Sequence, residues 1–165
     1  MGTLDAVVLR STKRFVAYIR KNNWVGRENE AISLYAFGFL QRERRRRTLF
    51  HDATQIGIEV GAANAKRKGP KSQTRKDLVL WRRPGSNRWF PPRPRSEPWA
   101  IMEWKVRRTG FRSGSSNDKD IRWLKDHCKT HPETIGYAVW LNLGASPVEI
   151  CVDRIDSNGM RRLAC

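Results

Sequence analysis

The run that most constrains this chain is residues 99–106, WAIMEWKV. Its aromatic and apolar content reads as a β-strand, and side chains in a strand alternate faces. Ala100, Met102, Trp104 and Val106 therefore share one face, while Ile101, Glu103 and Lys105 share the other. Two unpaired charges on a half-buried face cost roughly several kcal/mol, so each needs a partner or a task. The simplest partner for Glu103 is Lys105 itself.

A neighbouring strand adds a third charge. DLVLW begins at Asp77 and runs to about Arg82, and five of the eight prolines lie between it and Trp99, so the intervening segment reads as a connection. If the two strands form an antiparallel hairpin with Arg82 near Trp99, opposed residue numbers sum to about 181. A sum of 180 opposes Asp77 to Glu103, and 182 opposes it to Lys105. In either register two carboxylates and an ammonium converge. Carboxylates held close together repel and raise a pKa unless a cation joins them, and Mg²⁺ takes oxygen ligands of this kind. Such an ion polarises a phosphoryl oxygen and activates water, which points to phosphodiester hydrolysis.

The rest of the chain supplies a frame. Residues 3–22 carry Val7, Val8, Phe15 and Ile19 at helical spacing behind a Thr3 cap. Gly26 separates them from a second helical pattern, RENEAISLYAFGFLQRERRRR, in which Ile32, Tyr35, Phe39 and Leu40 align. TQIGIEVGA sets Ile56, Ile58 and Val60 on one side and Gln55, Gly57 and Glu59 on the other, which predicts a strand. ANAKRKGPKSQTRK reads as a basic loop. DKDIRWLKDHCKTH predicts a third helix, and IGYAVWLNL (135–143) and VEICVDRI (148–155) predict two closing strands joined at GASP. The order α, α, β, β, β, α, β, β fits an α/β (α+β) fold with a mixed central sheet flanked by helices.

The spacing of Asp77 to Glu103-Trp104-Lys105, with an acidic helix upstream and a helix then a strand downstream, resembles the PD-(D/E)XK nuclease superfamily. The resemblance covers about residues 26–143 and implies an αβββαβ restriction-endonuclease-like core. Residues 1–25 would be an N-terminal helical extension and 144–165 a C-terminal strand and tail, all within one domain. It also implies a Mg²⁺-dependent nuclease, Mn²⁺ being able to substitute, with Asp77 and Glu103 as metal ligands and Lys105 assisting the water. A Glu from the first core helix often completes such a site, here Glu28 or Glu30. Glu28 shares a face with Ile32, Tyr35 and Phe39 and is preferred. Lys76 stands where the family's eponymous Pro would precede Asp77.

Thirty-three Lys and Arg against sixteen Asp and Glu give a net charge of +17. That excess favours a polyanionic partner, DNA before RNA, over an anionic membrane surface or a scaffold role. Lys68, Lys71, Arg75 and Lys76 enter directly on Asp77 and are expected to hold a nucleic-acid backbone, as are Arg107 and Arg108 after the charged strand. Asn117 and Lys119, opening the third helix, are candidates for the scissile phosphate. The arginines of 42–47, and Trp89 and Phe90 in the proline-rich segment, are further candidates. His127 and His131, at i and i+4, could share a helix face as zinc ligands, but no second pair of suitable spacing accompanies them, and a helix-end cation reading is preferred. Cys128, Cys151 and Cys165 show no close pairing and no secretory signal precedes them, so reduced thiols and a soluble cytoplasmic protein are expected, with a homodimer or larger complex as an option. The competing function is a catalytically inactive nuclease-fold protein that binds nucleic acid or assembles into a complex.

Overall fold

A computed structural model describes residues 3–42, 50, 52–63, 73–86, 97–108 and 118–165. Helix α1, Leu4–Asn22, starts where the Thr3 hydroxyl accepts the Ala6 N–H (3.3 Å) and stops at Asn23, whose left-handed φ of 46° closes the last turn. Helix α2, Glu28–Ser33, widens into a π-helical stretch, Leu34–Leu40, where the sequence pattern predicts a uniform α-helix. Six strands follow: β1 Ile56–Ala63, β2 Gln73–Leu80, β3 Ala100–Arg107, β4 Ile135–Asn142, β5 Glu149–Asp156 and β6 Gly159–Ala164. Helix α3, Asp118–Thr130, joins β3 to β4.

The strands lie in sequence order in one mixed sheet. All neighbours are antiparallel except β3 and β4, which are parallel because α3 carries the chain back across one face. On the opposite face α1 and the α2/π-helical segment pack Phe15, Ile19, Tyr35 and Leu40 against Met102, Trp104, Tyr137 and Val139. The α3 face holds Val79, Trp81, Ile101, Leu124, Cys128, Ala138 and Ile155. Fold class thus agrees with the sequence at the level of a mixed α/β architecture. Asp5 pins α1 to the far strands: its carboxylate accepts the Tyr137 hydroxyl (2.6 Å) and guanidinium N–H groups of Arg154 and Arg161 (3.0 Å each). No helix among the described residues is long and apolar enough to cross a membrane.

Three expectations need correction. The basic segment before Asp77 is not all loop, because β2 begins at Gln73 and pairs with β1 through Ala63↔Gln73. A sixth strand follows β5, in a hairpin whose Asn158-Gly159 turn, with φ of 133° at the glycine, was a legible turn signal. That hairpin also overturns the expectation of reduced thiols throughout. The β5–β6 register (Val152↔Ala164) sets Cys165 opposite Cys151, and the two form a disulfide, leaving Cys128 free and buried.

Candidate active site

The β2–β3 register sums to 180, and the ladder stops at Leu78↔Met102. At the next position the strands part, and the Asp77 carboxylate spans the gap: Oδ2 accepts the backbone N–H of Trp104 at 2.7 Å. A side chain thus replaces a ladder bond at the point of divergence, which fixes Asp77 beside the residue that follows Glu103.

β1 bends at the same level. The β1–β2 ladder runs through Ile58↔Leu78 and resumes at Val60↔Lys76, omitting the Glu59–Asp77 pair, and Glu59 has a left-handed φ of 54°. Strand periodicity would keep Ile58 and Val60 on one face. Instead Ile58 packs with the α1 face and Val60 with the α3 face. Lys76, the partner of Val60, is carried over to the α3 side with it. Its ammonium lies 2.6 Å from Glu103 Oε1 and 3.6 Å from the centre of the Trp123 ring on α3, and only 2 % of its side chain is exposed. The sequence expectation that Lys76 holds a nucleic-acid backbone is therefore corrected: the bend at Glu59 turns it inward, where it meets Glu103.

Lys105 has a different set of partners. Its ammonium lies 3.3 Å from Glu28 Oε1 and 3.6 Å from Asp120 Oδ2, at the start of α3. Glu28 is anchored by its second oxygen, which accepts the Val106 N–H at 3.1 Å. Glu30 does different work, closing the start of α2 by accepting the Arg27 N–H at 2.6 Å. Between the two alternatives left by the sequence, Glu28 is the one at the cluster. The simplest pairing, Glu103 with Lys105, is not the one formed.

The electrostatics follow from burial. Desolvation raises Asp77 above the usual carboxylate value, against the Trp104 N–H and Lys105, which lower it. Desolvation raises Glu103 further, to about 8, with Lys76 opposing and Asp77 and Asp120 adding repulsion. Burial alone would lower Lys105, but Glu28, Asp120 and Asp77 outweigh it and hold it above the ordinary lysine value. Lys105 is therefore a cation at neutral pH. Four carboxylates, Glu28, Asp77, Glu103 and Asp120, meet two ammoniums, Lys76 and Lys105. In a chain of net charge +17 this spot gathers acids, among the described residues, and Glu103, raised to about 8, is largely the neutral acid at pH 7.

Carboxylate oxygens are the donors a hard divalent ion takes, and burial holds both central acids above their ordinary values; among the described residues no three of these acids bring their ligand atoms within 4.8 Å of one another. Asp120 escaped the sequence reading, which singled out Asn117 and Lys119 on the same helix start. Its signal was present as an acid in the first turn of a helix, a place where the macrodipole alone accounts for one. Lys119 is exposed, as are Arg75, which lies 3.9 Å from Glu59, and Arg108; Arg107 is half-buried. Lys68, Lys71, Trp89, Phe90, Asn117 and the arginines of 43–47 lie outside the described residues.

From Trp123 a column of rings descends α3. Trp123 stacks on His127 (4.8 Å between centres), and His127 stacks on His131 (4.4 Å). Burial, with His131 and Lys76, pulls His127 down to about 4. His131 Nδ1 meets Glu97 Oε2 at 3.4 Å.

No protein-family model, no curated protein and no solved structure matches the chain.

Proposed function

We propose that the chain is a metal-dependent nuclease of the PD-(D/E)XK type, acting on DNA. The observation that carries this reading is the gathering of four acids, Glu28, Asp77, Glu103 and Asp120, with two ammoniums where β2 parts from β3, in an otherwise strongly basic protein. A divalent ion would favour the ionised forms of Asp77 and Glu103, and the basic chain suits a polyanionic substrate. Asp77 and Glu103 would hold Mg²⁺, with Glu28 completing the set. When bound, such an ion lowers the pKa of a coordinated water and polarises a phosphoryl oxygen.

The chain's own groups account for the remaining work. The Trp104 N–H orients the Asp77 carboxylate, so the ligand oxygen needs no reorganisation on binding. Glu28 and Asp120 hold the Lys105 ammonium from two sides. Lys105 stays protonated and acts as a fixed positive charge toward a developing phosphorane or a nucleophilic water, not as a base. Glu103 needs to lose its proton or its tie to Lys76 to serve as a ligand, so ion binding should release protons near neutral pH.

One observation favours a second reading. Lys76 already places an ammonium on Glu103, giving the site a built-in partial substitute for a metal. A non-catalytic nucleic-acid-binding protein of the same fold would keep such a pair. Incubation of plasmid and linear DNA with and without Mg²⁺ or Mn²⁺ separates the two. The nuclease reading expects cleavage only with metal, abolished by Asp77→Asn while the fold is retained by circular dichroism. Salt-sensitive binding with no cleavage in either metal, unchanged by Lys105→Ala, would establish the second reading instead.

A further inference from the structure

We propose that Glu97, His127 and His131 form a zinc site that ties the end of α3 to the segment entering β3. The site is separate from the carboxylate cluster and does not rest on the nuclease reading. On sequence the two histidines lacked a third ligand. The fold supplies it from thirty residues upstream of His127, on the far side of the proline-rich connection.

One of the three ligand-atom separations already matches a tetrahedral ion. Bonds of about 2.0–2.1 Å to nitrogen and oxygen place neighbouring ligand atoms roughly 3.3–3.4 Å apart. His131 Nδ1 and Glu97 Oε2 stand at 3.4 Å, and one ligand atom from each of the three residues falls within 4.8 Å of the others. Because an imidazole binds a metal in the plane of its ring, His127 must turn out of its stack between Trp123 and His131 to join the other two. An ion pair with Glu97 accounts for His131 alone. His127, one turn away on α3, offers a second imidazole whose ligand atom lies within 4.8 Å of the other two.

The donor chemistry selects the metal. Two imidazoles and one carboxylate suit Zn²⁺, whereas Mg²⁺ and Ca²⁺ prefer all-oxygen sets. The side chains of His131 and Glu97 are 35 % and 43 % exposed, which gives the ion an entry path and leaves room for a water as fourth ligand. Zinc here would fasten α3, which carries Asp120 and Trp123, to the chain that leads into β3 and Glu103.

Isothermal titration of metal-stripped protein with Zn²⁺, together with the visible absorption of the Co²⁺-substituted form, tests the site. The expected result is uptake of one Zn²⁺ per chain, a tetrahedral Co²⁺ spectrum and a higher melting temperature with Zn²⁺. His131→Ala and Glu97→Gln, both at partly exposed positions and checked by circular dichroism, should each lose all three signals. Asp77→Asn/Glu103→Gln should keep them, and Mg²⁺-dependent DNA cleavage, if present, should survive Glu97→Gln. The proposal is overturned if Zn²⁺ is not taken up at micromolar concentration, if uptake is unchanged in the His131 and Glu97 variants, or if it is lost in the Asp77/Glu103 variant.

Discussion

Replacing Lys76 by Met should destabilise the protein by an amount that depends on pH. Met keeps much of the aliphatic bulk against Trp123 but leaves Glu103 without the ammonium at 2.6 Å. In the native protein Glu103 is raised to about 8 from 4.5, so the folded state holds its proton more tightly than the unfolded chain. For a raised carboxyl group, stability falls as pH climbs from the unfolded value to the folded one and is then level. Removing Lys76 deletes the chief influence lowering that value, so in Lys76→Met the fall continues to higher pH. At pH 6 Glu103 is protonated in both proteins, and the variant loses little more than one hydrogen bond, about 1 kcal/mol. At pH 9.5 the variant has followed the slope for roughly 1.5 further units at about 1.4 kcal/mol each, adding about 2 kcal/mol. The total, about 3 kcal/mol, is at the lower end of the range for stripping one partner from a buried pair. Denaturant unfolding followed by tryptophan fluorescence at the two pH values measures it, and Lys76→Met/Glu103→Gln should remove the pH dependence. Equal penalties at pH 6 and 9.5, or a slope that survives Glu103→Gln, would refute the reasoning. A Lys76 lying in solvent would give less than about 0.5 kcal/mol at both.

Other consequences can be checked with similar means. Asp5→Ala should cost about 2 kcal/mol in urea unfolding, since it strips three charge-assisted or short hydrogen bonds that join α1 to β4, β5 and β6. Glu28→Gln should weaken Mg²⁺-dependent cleavage strongly with little loss of stability, whereas Glu30→Gln should leave cleavage intact and cost roughly 0.5–1 kcal/mol through the α2 cap. Burial pushes the Cys128 thiol up to about 11, so iodoacetamide at pH 8 should leave it unmodified in the native protein and alkylate it in denaturant. The same experiment under non-reducing conditions should show Cys151 and Cys165 protected until reductant is added.

Most of the architecture could be read from periodicity. The helices with apolar stripes, the strands around Asp77 and Glu103 and the crossover between β3 and β4 all carry their period in the residues themselves. The alternation of β3 also separated Ile101 from Met102 and Trp104, which lie on opposite faces of the sheet. What escaped was set by local breaks in periodicity. A single left-handed residue at Glu59 inverts the facing of Val60 and its partner Lys76, and no composition signal marks it. The pairing of charges was equally hidden. Lys105 chose Glu28 and Asp120 over Glu103 because those acids arrive from helices on both sides of the sheet, a meeting only the tertiary structure determines. Cys165 found Cys151 through a hairpin whose second strand, GMRRLA, has too few apolar residues for an alternating pattern.

The bend at Glu59 has a bearing on how these chains coexist in a crowded solution. Among the described residues β1 is an outermost strand with β2 as its one strand neighbour, and a strand edge carries a row of backbone donors and acceptors. A long, regular margin of that kind invites a second molecule to add its own strand and begin a fibril. Because the strand reverses its facing midway, an incoming segment could match either Ile58 or Val60 but not both in one register. The same residue that turns a lysine toward Glu103 thereby makes the sheet's margin a poor template for self-association.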